Sequence, residues 1–497
     1  MSDASYVRDA MIAPAAPPNS QRGAVHWLRE NLCSGPLNAI LTLLGLLAVF
    51  WIIKASLPWL LNGVWNAGSL GECRQIIAAK AGLTFNEVGE SLNAAGEVVE
   101  PALGACWALI RERWNQFIFG FYPVDLYWRP VTAFALMFVA LAPVLYFGNR
   151  RICTIMVGTV GVLLLLSLLL LGTDLQHVGL FAVIFALLAA VAWTMPKRLL
   201  WVTLLFPAIG FFLLWGGSVW GPVGTLAGFA ILAGVWFALQ RRFGVVVAAA
   251  IGVLVAALWW LVVQSRVTGA IDAVLSWGLT PVDSDQFGGF LLAFTIGVTA
   301  IAGSLPIGIL LALGRRSDMF LIKTLSVGFI EFVRGVPLIT MLFTASLLLQ
   351  YFLPPQTNFD LILRVIILVT LFASAYIAEV IRGGLAALPR GQYEAADALG
   401  LDYWQAQRLI VMPQALKIAI PGIVSSFIGL FKDTTLVALV GLADPLQGIT
   451  KIVRADINWK GIYWEPFLFV GLIFFLVCFG MSRYSMYLER KLKTDHR

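Results

Sequence analysis

The chain has 497 residues, of which 60% are apolar and only 12% charged, and its mean hydropathy is +0.87. Water-soluble cores of that total length would need far more polar surface, so the composition excludes a string of soluble domains and points to a polytopic membrane protein. The net charge of +7 reads as membrane topology rather than as a nucleic-acid footprint, because what matters is where Lys and Arg sit relative to the spans.

Residues 1–36 carry Pro14, Pro17 and Pro18, then Arg22, Arg29 and Glu30, before any apolar run. That order does not fit a secretory signal and predicts a short cytoplasmic arm. Apolar runs long enough to cross a bilayer follow at 37–61, 131–148, 152–172, 178–195, 199–217, 223–240, 244–264, 287–314, 336–353, 361–383, 421–442 and 463–482. The expected fold is therefore all-α with about twelve transmembrane helices, and an even number places both termini on one side. Arg150 and Arg151, Lys197 and Arg198, Arg241 and Arg242, Arg315 and Arg316, and the basic tail from Arg483 alternate onto the N-terminal face. The positive-inside bias makes that face cytoplasmic. Arg266, Lys451, Arg454 and Lys460 dissent from the outer side and are outvoted.

The domain reading is an arm at 1–36, a block of about seven spans at 37–286, a core at 287–490 and a tail at 491–497. One polar insertion, at 62–130, falls on the outer, periplasmic side and contains Cys73 and Cys106. In an oxidising compartment the two could bridge, which loop-closure arithmetic values at roughly 3–4 kcal/mol; two free thiols fit the spacing equally well. Cys33, Cys153 and Cys478 show no metal-ligand spacing, and the three His residues, His26, His177 and His496, are scattered. No metal site is expected. No G-x-x-x-x-G-K-[ST] phosphate loop is present either, so this chain is not expected to hydrolyse ATP or to be an enzyme.

The longest cytoplasmic loop, between the tenth and eleventh runs, is written as ordered structure. Good helix formers around Glu394 to Leu399 meet Gly400, a natural helix stop. Asp402 and Gln405 then have capping-box spacing for a second helix, which Pro413 is expected to end. Small Ala395 and Ala396 permit close packing, while Tyr403, Trp404 and Leu409 offer an anchor surface for a partner protein. By pattern alone, an amphipathic helix lying on the lipid fits as well.

The string Glu394-Ala395-Ala396, then Gly400, Ile410 and Met412-Pro413 resembles the EAA loop of ATP-binding cassette importer permeases, with Met in place of Leu before the proline. Glu331-Phe-Val-Arg334-Gly335-Val-Pro337-Leu338, Ala378-Glu379-Val-Ile-Arg382-Gly383-Gly384 and Phe431-Lys432-Asp433-Thr434-Thr435-Leu436 are similar to segments of the permeases for polar amino acids. The resemblance covers about 287–490 and implies a five-span type I importer core, with the EAA coupling loop at 389–420 seated in an ATPase subunit. The long N-terminal block resembles the larger permease of broad-range bacterial importers for glutamate, glutamine, aspartate and asparagine. It implies an inner-membrane location, ATP and Mg held by separate ATPase subunits, a second permease subunit, more readily a different one than a copy, and a periplasmic binding protein.

Ionisable groups at membrane depth cost about 2.5–3.5 kcal/mol each on insertion scales, so each asks for a partner or a watery path. Glu379 with Arg382, and Glu331 with Arg334, are spaced to pair on one helix face; they either line the substrate path and meet an amino-acid zwitterion or neutralise one another near the cytoplasmic interface and fix helix positions. Lys432, Asp433 and Thr434 are placed deeper and make the better candidates for contacts to an amino-acid zwitterion. Pro306 is expected to bend the eighth span. A secondary, ion-coupled transporter is the alternative function, but it would predict inverted repeats, and none is visible. A membrane enzyme acting on lipid-linked substrates would need an acid–base constellation that the N-terminal block does not contain.

Overall fold

The computed structural model describes residues 23–85, 91–146, 149–348, 351 and 360–492. Most of the expected N-terminal arm, most of the outer turn at 354–360 and the end of the basic tail lie outside these residues. The chain forms two compact units, divided between Glu112 and Arg113.

The first unit contains α1 (Ala24–Asn31), α2 (Pro36–Leu61), α3 (Leu70–Lys80), a two-stranded antiparallel hairpin of β1 (Thr84–Phe85) and β2 (Ser91–Leu92), and α4 (Ala108–Glu112). Pro36 stands at the start of α2, where its missing N–H is not needed. The 26 residues of α2 rise about 39 Å at 1.5 Å each, enough to cross a hydrocarbon layer of about 30 Å. Ser69 caps α3 by accepting from the Glu72 amide at 3.1 Å. A disulfide joins Cys73 on α3 to Cys106 just before α4, and both are buried. The Trp107 ring lies 5.7 Å from those of Trp59 and Trp65.

The second unit begins with α5 (Trp114–Phe119), α6 (Trp128–Leu145), α7 (Arg150–Leu170), α8 (Leu175–Thr194), α9 (Leu200–Trp215), α10 (Trp220–Phe243), α11 (Val245–Leu258) and α12 (Gln264–Val274). It continues with α13 (Gly289–Arg315), α14 (Phe320–Gly335), α15 (Leu338–Phe343) and α16 (Leu361–Ala386). The last elements are α17 (Gly391–Ala398), α18 (Tyr403–Ala406), α19 (Met412–Asp433), α20 (Pro445–Ala455) and α21 (Trp464–Leu492). Among the described residues 11 helical stretches are long and apolar enough to cross a membrane, or 12 if α14 and α15 count as one broken span. The protein is thus an all-α polytopic membrane protein.

In the core, α13 packs on α16, α16 on α19, and α19 on α21, while α6 packs on α7 and α9. Close approach of α13 to α16 depends on Gly308, where a Cβ would come within 2.7 Å of Ile377. Small residues serve this purpose in membranes, where van der Waals contact rather than hydrophobic exclusion holds helices together. α13 runs on through Pro306 as one helix.

Three sequence expectations need correction. The seventh span does not stop at 264: a π-turn at Trp259–Val263 carries α11 into α12. Gln264 there donates to the Gly221 carbonyl and the Thr225 hydroxyl, both at 3.1 Å, so its polar end stays on α10. The ninth span is preceded by a helix, α14, and the chain bends by 102° between α14 and the α15 stretch. Val336 is extended there, as a residue before proline prefers to be, and Pro337 supplies no amide to continue the helix. Finally, Pro413 does not end the second cassette helix. A π-turn at Gln407–Val411 shifts the hydrogen-bond register just ahead of it, so Pro413 sits in the first turn of α19 and the helix continues into the eleventh span.

Candidate functional site

The helical cassette at 391–413 is built from local capping chemistry. α17 ends at Leu399, and Gly400 takes φ +69°, a left-handed conformation in which a side chain is strained. The Gly400 amide donates to the Asp397 carbonyl at 2.9 Å and the Leu401 amide to the Ala396 carbonyl at 3.2 Å, the paired bonds of a Schellman stop. Asp402 then caps α18: its carboxylate accepts from the Gln405 amide at 2.8 Å while the Gln405 side chain accepts from the Asp402 amide at 3.2 Å. Gln414 donates to Gln392 at 2.8 Å, tying α19 to α17.

The same cassette has an inner and an outer side. Ala396 and Ala406 are buried, whereas Glu394, Ala395, Gly400, Tyr403, Trp404, Leu409 and Pro413 are exposed and Ile410 is half-buried. The Tyr403 and Trp404 rings stand edge to face at 5.3 Å. Below it lies a cluster of Ile377, Ile381, Leu385, Val411, Ala415 and Ile423. Arg316 bonds the Tyr393 hydroxyl at 2.8 Å and lies over its ring, clamping α17 to the end of α13.

Beside the cassette, α13, α14 and α16 bring together Arg315, Glu331, Arg334, Glu379 and Arg382. Glu379 binds Arg382 through two guanidinium nitrogens, Arg315 at 3.3 Å and Arg334 at 3.6 Å. Glu331 binds Arg315 at 2.9 Å. Spacing predicted Glu379 with Arg382, and that pair is present. The expected Glu331–Arg334 pair is replaced by bonds between helices, because Arg315 reaches Glu331 from α13 and Arg334 turns to Glu379.

Lys432 is exposed and Asp433 half-buried at the end of α19. Thr434 is fully buried, and its hydroxyl donates to the Phe431 carbonyl at 2.8 Å, so it is spent inside the chain. At the outer end, Asp444 caps α20 by accepting from the Leu446 and Gln447 amides at 3.0 and 2.9 Å. Burial pushes its carboxyl above the ordinary value, against the pull of those amides and of Lys451. Asp456 does the opposite: a hydrogen bond from Arg113 holds its carboxyl below the ordinary 3.8.

Sequence reasoning missed four arginines. Arg315 and Arg316 served only as orientation markers, although their proximity to two motif segments is structural. Arg364 is buried, with Nη1 donating to the Ser346 carbonyl at 2.6 Å. Arg129 is buried, with Nη1 donating to the Thr280 carbonyl at 2.6 Å. Arg364 was legible as a lone charge near the start of the apolar run at 361–383; Arg129 sat in a stretch taken for soluble insertion.

A bundle of apolar spans thus carries an ordered helical cassette, and no group of side chains that could hold a metal is present among the described residues. Residues 304–494 match the family described as "Binding-protein-dependent transport system inner membrane component". The chain is 61% identical over its full length to the glutamate/glutamine/aspartate/asparagine transport system permease protein of Rhodobacter capsulatus, covering 100% of both. It is 35% identical to an inner membrane amino-acid ABC transporter permease protein of Escherichia coli, covering 96% of this chain and 95% of that one. A crystal structure of an amino acid ABC transporter with histidines aligns at 28% identity with TM-score 0.36, over 40% of this chain and 91% of that one. The chain belongs to the amino-acid ABC transporter permeases. It is a multi-pass inner-membrane protein and the transport component of an ATP-driven amino-acid importer, which implies ATPase partners; nothing supports the ion-coupled alternative.

Proposed function

We propose that this chain is the larger permease of an importer for glutamate, glutamine, aspartate and asparagine. The observation that carries the reading is identity of 61% from end to end, N-terminal block included, with a permease named for those four substrates. A periplasmic binding protein delivers the amino acid, and a second, different permease completes the path. Separate subunits hold ATP and Mg and hydrolyse the nucleotide. The Glu394–Pro413 cassette seats in those subunits, its exposed Tyr403, Trp404 and Leu409 forming the anchor. Nucleotide-dependent contacts there bias a two-state packing of the spans.

Within the path, Lys432 is the strongest candidate for the substrate carboxylate, being exposed at the end of α19 with Asp433 beside it. The Arg315–Glu331–Arg334–Glu379–Arg382 network serves to hold α13, α14 and α16 in one packing, since its charges face one another. The test is uptake of radiolabelled glutamate by the assembled complex, with competition by the other three amino acids and with substrate-stimulated ATP hydrolysis. Uptake that persists without any ATPase subunit would sink the reading. Lys432→Met in a normally assembled complex should weaken substrate affinity; unchanged affinity and rate remove Lys432 from the path.

A further inference from the structure

The second unit contains a cavity of about 670 Å³, lined by residues other than those of the cassette and of the Glu379 charge network. One wall is the N-terminal block, with Phe134 on α6 and Phe211 on α9; the other is the core, with Phe294 on α13 and Leu363 on α16. The lining is almost wholly apolar. Among the described residues its polar side chains are Ser167, Thr295, Thr299, Asp360 and the indole of Trp215, and Asp360 is the one ionisable member. Phe134, Phe211 and Leu363 are exposed, so the cavity is open to the surrounding medium.

Its depth identifies that medium. On the orientation set by the basic turns, the lining residues come from the outer halves of their spans: the beginnings of α6, α13 and α16 and the end of α9. Along α13 the lining runs from Phe290 to Thr299, a rise of about 13.5 Å at 1.5 Å per residue. Along α9 it runs from Phe206 to Trp215, the same rise. One leaflet of hydrocarbon is about 15 Å deep, half of a 30 Å core. The slot therefore spans the outer leaflet and no more. Water has too few polar partners along it to fill it.

The interfacial end is also defined. Trp215 is fixed there by its indole N–H, which donates to Ser284 at 2.8 Å, and by stacking on Phe287 at 4.6 Å; Trp favours this level of the bilayer. Asp360 stands at the same end, already accepting from the Leu363 amide at 2.9 Å with one carboxylate oxygen. No Lys or Arg is in the lining among the described residues, and Arg129, which approaches this end at Gly216, donates to the Thr280 carbonyl at 2.6 Å, so the carboxylate at the rim repels an anionic headgroup and attracts an ammonium.

We propose that this slot binds one acyl chain of an outer-leaflet phospholipid whose ammonium headgroup meets Asp360, and that this lipid fills the joint between the N-terminal block and the importer core. The experiment uses the purified full chain in its complex. A phosphatidylethanolamine with a photoactivatable acyl chain is added, irradiated and mapped by peptide mass spectrometry. Labels should fall on the lining of α9 and α13, around Phe211 and Phe294; labels confined to other spans overturn the site. Native mass spectrometry after delipidation should retain phosphatidylethanolamine several-fold better than phosphatidylglycerol. Asp360→Asn, which keeps the helix cap, should abolish that preference without abolishing binding. Equal retention of both lipids by the unaltered protein overturns the headgroup assignment. Thr299→Trp, which fills the slot from an exposed position, should remove the bound lipid; retention at the unaltered level overturns the slot.

Discussion

Glu379 gathers three guanidiniums, from Arg315, Arg334 and Arg382, in the half-buried space where α13, α14 and α16 meet. A pair within one helix is worth only a few tenths of a kcal/mol, so the contribution of Glu379 lies in contacts between helices. Removing it would leave three guanidiniums gathered around Glu331 alone, with Arg334 and Arg382 losing their nearest carboxylate. Asp456 and Arg113 make the simpler case, because they form a single pair outside the spans. Arg113 depresses the Asp456 carboxyl below 3.8, so the pair's contribution to stability is fully present above that value and disappears as pH falls through the lower, folded-state value. Asp456→Asn keeps the cap on the Asn458 amide but removes the charge. The difference in thermal midpoint between the unaltered protein and Asp456→Asn should therefore be positive at neutral pH and shrink toward zero as acid is added below 3.8. A difference that is flat across that range would refute the linkage.

At the scale of elements, the cassette shows which local rules can be read from sequence and which cannot. Gly400 as a stop and Asp402–Gln405 as a start are contacts within six residues, so spacing alone sufficed. Pro413 was misread because the rule for an isolated helix ignores register: the π-turn before it removes the conflict, and no short pattern announces a π-turn. The 102° bend is half legible, since Pro337 is in view but the 16 residues of α14 fall between the apolar runs at 287–314 and 336–353. The cross-helix partners of Glu331 and Arg334 were invisible, because they depend on how helices far apart in sequence are turned. The Gly400 corner carries a prediction. Gly400→Ala should cost about 1–2 kcal/mol locally, the penalty for a side chain in the left-handed region, and Gly400→Pro cannot adopt φ +69° at all. Gly400→Pro, and Glu394→Lys on the exposed face of α17, should insert normally, yet the ATPase subunits of such a complex should hydrolyse ATP without substrate being moved. Transport at the unaltered rate in either variant would remove the cassette from coupling.

Over the whole molecule, the apolar composition announced the bilayer, because that depends on counting residues rather than on packing. What composition could not show is that the chain makes two compact units, the first closed by a covalent link between Cys73 and Cys106. Spacing left that link open, since two cysteines 33 residues apart can meet or miss with equal ease. The fold brings them together because α3 packs its Cys73 inward and the bridge of Val64 to Ala105 and Ala108 lays the second cysteine alongside. Closing a loop of 33 residues restricts the unfolded segment by about 3–4 kcal/mol in the chain-entropy account. That is a large share of what so small a unit can hold, whereas the spans are confined by the bilayer and need no such help. Cys73→Ser should therefore loosen residues 62–112 selectively. Limited proteolysis in membranes should cut this segment in Cys73→Ser much faster than in the unaltered protein, while the spans stay protected. Reductant should reproduce the effect only slowly, because both sulfurs are buried and exchange waits on local opening. Equal cleavage rates with and without the disulfide would mean that the tryptophan stack of Trp59, Trp65 and Trp107, rather than the covalent link, holds the unit closed.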